Sequence, residues 1–177
     1  MPAAMAAKKV SLDAIKALRE KTGASVSDVR NALESAGGNE AKAIEALKQH
    51  SAALAEKREG RATGQGRVES YIHHNGRLAA LVEVNCETDF VARTEDFIQF
   101  CRHIALQVAA MNPRFIRLED VPAGTMLSAE EQKEQALLEQ AFIKDASRTI
   151  KDMLKELIGK TGENVVIRRF SRFSIGE

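Results

Sequence analysis

Two strand-like runs, VESYI (68–72) and RLAALVEVN (77–85), flank the tetrapeptide HHNG near the middle of the chain. Its Asn75-Gly76 step supplies the positive φ values that a tight reversal demands. The flanking runs carry the β-branched, aromatic and alternating apolar residues of strands. A β-hairpin at this place rules out an all-helical fold. In the second run Leu78, Ala80, Val82 and Val84 share one face, while Leu81 points the other way. That apolar face needs a cover, which helices are expected to provide.

The residues before the hairpin follow a helical period instead. Leu12, Ile15 and Leu18 fall on one face, and Thr22-Gly23 closes that helix with a residue that tolerates the left-handed conformation. Ser25-Val26-Ser27-Asp28 fits a capping box opening a second helix, with Val29, Ala32, Leu33 and Ala36 inward. Gly37-Gly38 ends it, Asn39 caps a third, and Ala43, Ile44 and Leu47 complete the stripe. Three such stripes can bury one another, so a three-helix domain is expected over residues 1–50. Residues 51–67 contain three glycines and no continuing apolar stripe, which reads as a linker that lets the two parts move.

An α+β core is expected over residues 68–177. After the hairpin, Thr94 caps a helix with Glu95 and Asp96 in its first turn, where the dipole favours acids. Phe97, Cys101, Ile104, Val108 and Met111 form its inward stripe, and Asn112-Pro113 ends it. Ser128 opens a charged helix to about Gln140, and a further helix carries Ile150, Met153, Leu154, Leu157 and Ile158, with Gly159 as its stop. The closing NVVIRRFSRFSI reads as a strand that joins the hairpin, giving a small antiparallel sheet packed with helices.

Composition narrows the function classes. A net charge of +1 gives little long-range attraction for nucleic acid or an anionic membrane. Cys86 and Cys101 make neither a disulfide framework nor a C-x-x-C pair, which suits a reducing cytoplasm. The opening MPAAMAAKKV has no signal-peptide core and no Arg/Ser-rich leader, so a cytoplasmic protein is expected. Metal binding is not expected: Cys101 and His103 face different ways on a helix, and adjacent His73 and His74 point to opposite sheet faces. No phosphate-cradling G-x-x-x-x-G-K or G-x-G-x-x-G is present, so direct nucleotide binding is not expected. In RRFSRF, Phe170 and Arg172 share one strand face and Arg169 and Phe173 the other, which makes no clean stacking platform for RNA.

The stretch NCETDFVAR (85–93) packs a thiol, two carboxylates and a large aromatic into a strand-to-helix corner. Nucleophilic catalysis by Cys86 needs a base held beside it, and only His73 or His74 across the hairpin offers one. Phe90 has two readings: it folds back over the sheet edge, or it projects with Asp89 as a wedge. A projecting phenylalanine buried in a partner contributes roughly 1.5–3 kcal/mol. The neighbouring carboxylate is placed to repel a bound anion or compete for its cation.

EVNCETDFVAR (Glu83–Arg93) resembles the central signature of the elongation factor Ts family across all eleven residues. Leu18–Leu47 resembles the family's ubiquitin-associated-like three-helix domain, and Ile158–Phe170 its C-terminal strand segment. The resemblance implies a guanine-nucleotide exchange factor for the GTPase elongation factor Tu, with no bond made or broken and so no enzyme chemistry. It implies a wedge of Thr88, Asp89, Phe90 and Val91 beside the partner's magnesium and phosphates. It also implies docking residues at Arg19, Val26, Ser27 and Arg30, and a core-helix contact at His103 and Gln107. Ser25-Val26-Ser27 stands where the family commonly has Gly-Met-Met, and Arg30 where it has Lys; Val and Ser offer less flexible apolar contact than two methionines, so a weaker or reshaped docking surface is expected. The chain has one hairpin-helix unit where longer members have two, and it lacks a family segment before EQAFIKD (139–145). Short members pair with a second copy, so a homodimer is expected. The competing reading is a protein-binding module and scaffold without exchange activity.

Overall fold

Each N-terminal helix begins where a short polar side chain takes over an orphan backbone N–H. The computed structural model describes residues 10–176; the first nine residues, with the start of the expected 1–50 domain and most of MPAAMAAKKV, lie outside the described residues. Helix α1 (Leu12–Thr22) is capped by Ser11, α2 (Val26–Ser35) by Ser25, and α3 (Glu40–Arg58) by Asn39, whose side chains accept from Ala14, Asp28 and Lys42 N–H at 3.0–3.1 Å. Each such cap contributes about 1 kcal/mol. The expected capping box at Ser25 is one-sided: Ser25 Oγ accepts Asp28 N–H, but the Asp28 carboxylate accepts from the Ser25 hydroxyl at 2.6 Å rather than from the Ser25 backbone N–H. Ile15, Leu18, Val29, Ala32, Leu33, Ala43 and Leu47 bury one another, whereas Leu12, in the first turn, stays exposed.

Helix α3 does not stop with its apolar stripe. Ser51, Ala52, Ala53 and Ala55 carry it on to Arg58, so the first part of the stretch expected as a linker is helical. Its other end is already strand, since β1 spans Gln65–Ile72. Alanine is the strongest helix former, and these small side chains also let α3 pack against α7 (Ile150–Thr161), with Ala55 against the second core.

That second core lies beneath a three-stranded antiparallel sheet in the order β1–β2–β5, with β2 at Leu78–Cys86 and β5 at Val165–Ser174. The hairpin turn differs in detail from the expected pair of positive φ values. Only Gly76 has one (φ 67°); Asn75 instead uses its side chain, accepting from Arg77 N–H at 3.0 Å. In β2 the residues Ala80, Val82, Val84 and Cys86 are buried beneath α5 (Glu95–Met111), which presents Phe97, Cys101, Ile104 and Val108. Met111, at the end of the expected stripe, is half exposed, and left-handed Asn112 ends the helix beside it. Between β2 and α5 sits the single turn α4 (Asp89–Ala92).

The charged helix after Ser128 is shorter than expected. It spans Ala129–Gln135 (α6) and gives way to a 3-10 turn at Leu137–Glu139, where buried Leu137 donates its N–H to Phe115 O at 2.9 Å. A short hairpin of β3 (Ala141–Phe142) and β4 (Asp145–Thr149) follows, without any alternating pattern that announces it. Helix α7 buries Ile150, Met153, Leu157 and Ile158. Gly159 does not stop it; the helix runs on to Thr161 and ends at left-handed Gly162 (φ 69°).

Candidate functional site: a projecting corner at residues 86–94

The corner is built from its buried side outward. Cys86, at the end of β2, is fully buried and its thiol donates to Thr88 O at 3.1 Å. Burial, with the charge of Glu163 adding, pushes this thiol up to about 11, so it stays protonated at neutral pH and is a packing group rather than a nucleophile. Burial likewise pushes Cys101 up to about 12. Glu87 accepts from Asn164 N–H at 2.7 Å and pairs with Arg61 at 3.4 Å, and these partners hold its carboxyl below the usual range.

Thr88 is held twice over. Its N–H donates to one oxygen of Glu163 at 3.0 Å and its hydroxyl to the other at 2.6 Å. The same hydroxyl oxygen caps α4 by accepting Val91 N–H at 3.4 Å. On the far side, Thr94 donates its hydroxyl to Val91 O at 2.8 Å and caps α5 by accepting Phe97 N–H. Within this frame Val91 and Ala92 are buried, and Phe90 is 77% exposed. Successive residues of a helical turn point about 100° apart, so once Val91 takes the inward place Phe90 is driven outward. Of the two sequence readings, projection is the one this structure shows. Asp89, also exposed, pairs with Arg93 at 2.8 Å one turn on.

Arg19, Val26, Ser27 and Arg30 lie around the α1–α2 junction, all exposed, with Val26 the apolar member. They are a separate surface from the corner. Lys160, at the end of α7, ties the two regions together: its side chain lies over Gly23 at the end of α1, and its Nζ pairs with Asp96 of α5 at 3.4 Å.

The core-helix pair divides. His103 is half buried against Phe142, with ring centroids 4.9 Å apart, and burial, with Lys144 and Arg148 nearby, pushes its pKa down. Gln107 is fully buried, which corrects the expectation that it faces a partner. Its Nε2 donates to Gln140 Oε1 (3.1 Å) and Ala141 O (3.0 Å), and its Oε1 accepts Ile143 N–H (2.9 Å). These bonds occupy its amide in fastening the 140–143 segment to α5. Glu163 and Asn164 are the corner residues that sequence reasoning missed; no local pattern reveals a carboxylate that bonds Thr88 from 75 positions away. Among the described residues, no group of three or more His, Cys, Asp or Glu side chains is placed to hold a metal ion, and no helix is long and apolar enough to cross a membrane.

Residues 3–135 match the family model described as Elongation factor TS. The chain is 45% identical to Elongation factor Ts of Caldanaerobacter subterraneus, in an alignment covering 95% of this chain and 98% of that one. It is 43% identical to Elongation factor Ts of Thermotoga petrophila (96% and 98% covered) and 43% identical to that of Solidesulfovibrio magneticus (95% and 98%). These matches place the chain, with its three-helix unit and α+β core, among the translation elongation factors. The chain belongs to the elongation factor Ts family.

Proposed function

We propose that this chain is a guanine-nucleotide exchange factor for elongation factor Tu, and that Asp89 and Phe90 are its working tip. The observation that carries this reading is the exposure of Phe90 on a corner whose neighbours on both sides are buried or bonded in place. An aromatic side chain left in water at a rigid point is most simply accounted for by its burial in a partner. The Asp89–Arg93 pair is exposed, so opening it to present the carboxylate costs little. Beside bound phosphates and magnesium, that carboxylate repels the anion and competes for the cation. Thr88 and Val91 hold the tip, one by its cap and one by its burial.

The α1–α2 junction docks on the same GTPase through Arg19, Val26, Ser27 and Arg30, and His103 supplies the core-helix contact. By linkage, a factor that weakens nucleotide binding is itself weakened equally by nucleotide. Such a factor needs no general base, nucleophile or cofactor, and acts in the cytoplasm without touching nucleotide, nucleic acid or membrane directly.

The chain acts as a homodimer through the uncovered sheet face. Val68, Ile72, Leu81 and Phe173 are all exposed there, opposite the face that α5 covers, and exposed Ile175 follows just beyond the strand. Exposed apolar patches mark interaction sites, and a two-fold axis sets such a patch against its own copy. Sedimentation at micromolar concentration is expected to give a dimer, and Leu81→Glu a monomer; a monomeric wild type overturns this part.

Release of fluorescent GDP from elongation factor Tu tests the main reading. Wild type is expected to accelerate release, and Phe90→Ala to lose about ten- to a hundredfold of that acceleration, equivalent to roughly 1.5–3 kcal/mol. A wild type that gives no acceleration leaves only the binding-module reading.

A further inference from the structure

We infer that Glu163 is a positioning residue for the exchange tip, an inference that rests on the exchange reading above. Helix α4 is a single turn of four residues, and a helix of that length has no stability of its own. Its direction is set by what it is fastened to. Burial of Val91 and Ala92 fixes the inner side, and Thr94 fixes the exit. The entrance depends on Thr88, which is extended (φ −124°, ψ 154°) and exposed, its carbonyl taken by the Cys86 thiol and its N–H and hydroxyl turned to another partner.

Glu163 is that partner. One carboxylate oxygen takes the Thr88 N–H and the other takes its hydroxyl, so backbone and side-chain torsion are fixed together. With its proton committed to Glu163, the hydroxyl oxygen presents its lone pair to Val91 N–H, which is the cap that starts α4. Hydrogen bonds to an ionised acceptor are stronger than neutral ones. Glu163 is itself anchored through its backbone. It follows the left-handed Gly162 that ends α7, and its own N–H donates to Thr161 Oγ1, whose hydroxyl donates to Leu157 O.

The next residue repeats the bond in the opposite direction. Asn164 donates its N–H to Glu87, and its side chain donates to Arg61 O. Two neighbouring carboxylates, one from each segment, therefore lock the β2–α4 corner to the α7–β5 turn. A tip that acts by insertion works only if held close to its bound geometry, because any disorder must be removed at the moment of binding. Glu163 removes it in advance.

The experiment uses the full chain with Glu163→Ala and Glu163→Gln. Two quantities are read: amide hydrogen exchange at Val91 and Ala92, and GDP release from elongation factor Tu split into maximal rate and half-saturating concentration. Glu163→Ala is expected to speed amide exchange in α4 about tenfold or more while β2, β5 and α5 keep their protection. It is expected to lower the maximal release rate roughly five- to tenfold with half-saturation changed less than about twofold, because the α1–α2 surface is untouched. Glu163→Gln keeps an acceptor and falls between. Wild-type protection in Glu163→Ala overturns the clamp, and so does a global loss of protection. Lost protection with an unchanged maximal rate, or a loss confined to half-saturation, overturns its role in exchange. If wild type gives no acceleration, the exchange reading fails by itself, and the amide data alone decide the clamp.

Discussion

Gly159 of α7 lies so close to Ser51 of α3 that a Cβ on the glycine would overlap the serine hydroxyl and come within 2.7 Å of its Cβ. That approach seats the three-helix unit on the core. The adjacent Lys160 reinforces it by lying over Gly23 while pairing with Asp96. Both surfaces proposed to meet the partner are thus carried on one packed frame.

Gly159→Ala tests this seat directly. Alanine is the better helix former by about 1 kcal/mol, so on propensity alone the change stabilises. Overpacking against Ser51 outweighs that gain, and a net loss of about 1–2 kcal/mol is expected in chemical denaturation. A double-mutant cycle with Ser51→Gly is expected to show coupling of about 1 kcal/mol; simple additivity would sink the contact.

Phe90 and Val91 are adjacent yet should behave oppositely in stability. Phe90→Ala removes an exposed side chain and is expected to change unfolding free energy by less than about 0.5 kcal/mol. Val91→Ala opens space beneath the corner and is expected to cost about 1–3 kcal/mol. Equal costs for the two would mean that Phe90 is packed rather than projecting.

Gln107→Leu conserves volume but removes both ends of a buried amide. Ala141 O, Ile143 N–H and Gln140 Oε1 each lose a partner, and an expected cost of about 2–4 kcal/mol follows from leaving such groups unpaired in the interior. Urea unfolding measures it. A neutral result would return Gln107 to the list of surface residues.

Glu87 gives the acid limb of stability a defined sign. Asn164 N–H, and then Arg61, hold its carboxyl below the ordinary value, so the folded state binds its proton more weakly than the unfolded chain does. Its contribution is present above the unfolded value, about 4.3, and is lost as pH falls through the lower folded value. Glu87→Gln is therefore expected to be less stable than wild type at pH 6, and to lose less on acidification to pH 3. Parallel pH curves for the two proteins would remove Glu87 from that role.

Legibility followed the range of the interactions. Ser25, Asn39, Thr94 and Ser128 cap helices within three residues of themselves, and every one of those helix starts is readable from the chain. The alternation of β2 identified its buried face for the same reason, since a strand shows its two sides in successive residues. Gly159 was misread as a helix stop because a glycine that ends a helix and one that admits another helix look alike in one dimension. The length of α3 was missed because small residues without a stripe resemble a linker until α7 is there to pack on them.

The corner divides along the same line. By itself the sequence determined a strand, a polar corner and a capped helix, with an aspartate and a phenylalanine between them. It also determined family membership, because the signature is contiguous. Only the tertiary structure decided that Phe90 points outward, since that required Val91 to find a core made by β2, α5 and α7. Only the tertiary structure brought Glu163 to Thr88 and Asn164 to Glu87. Local patterns record the backbone bonds a residue makes with its near neighbours, and a clamp between distant segments exists only once the sheet has set their register.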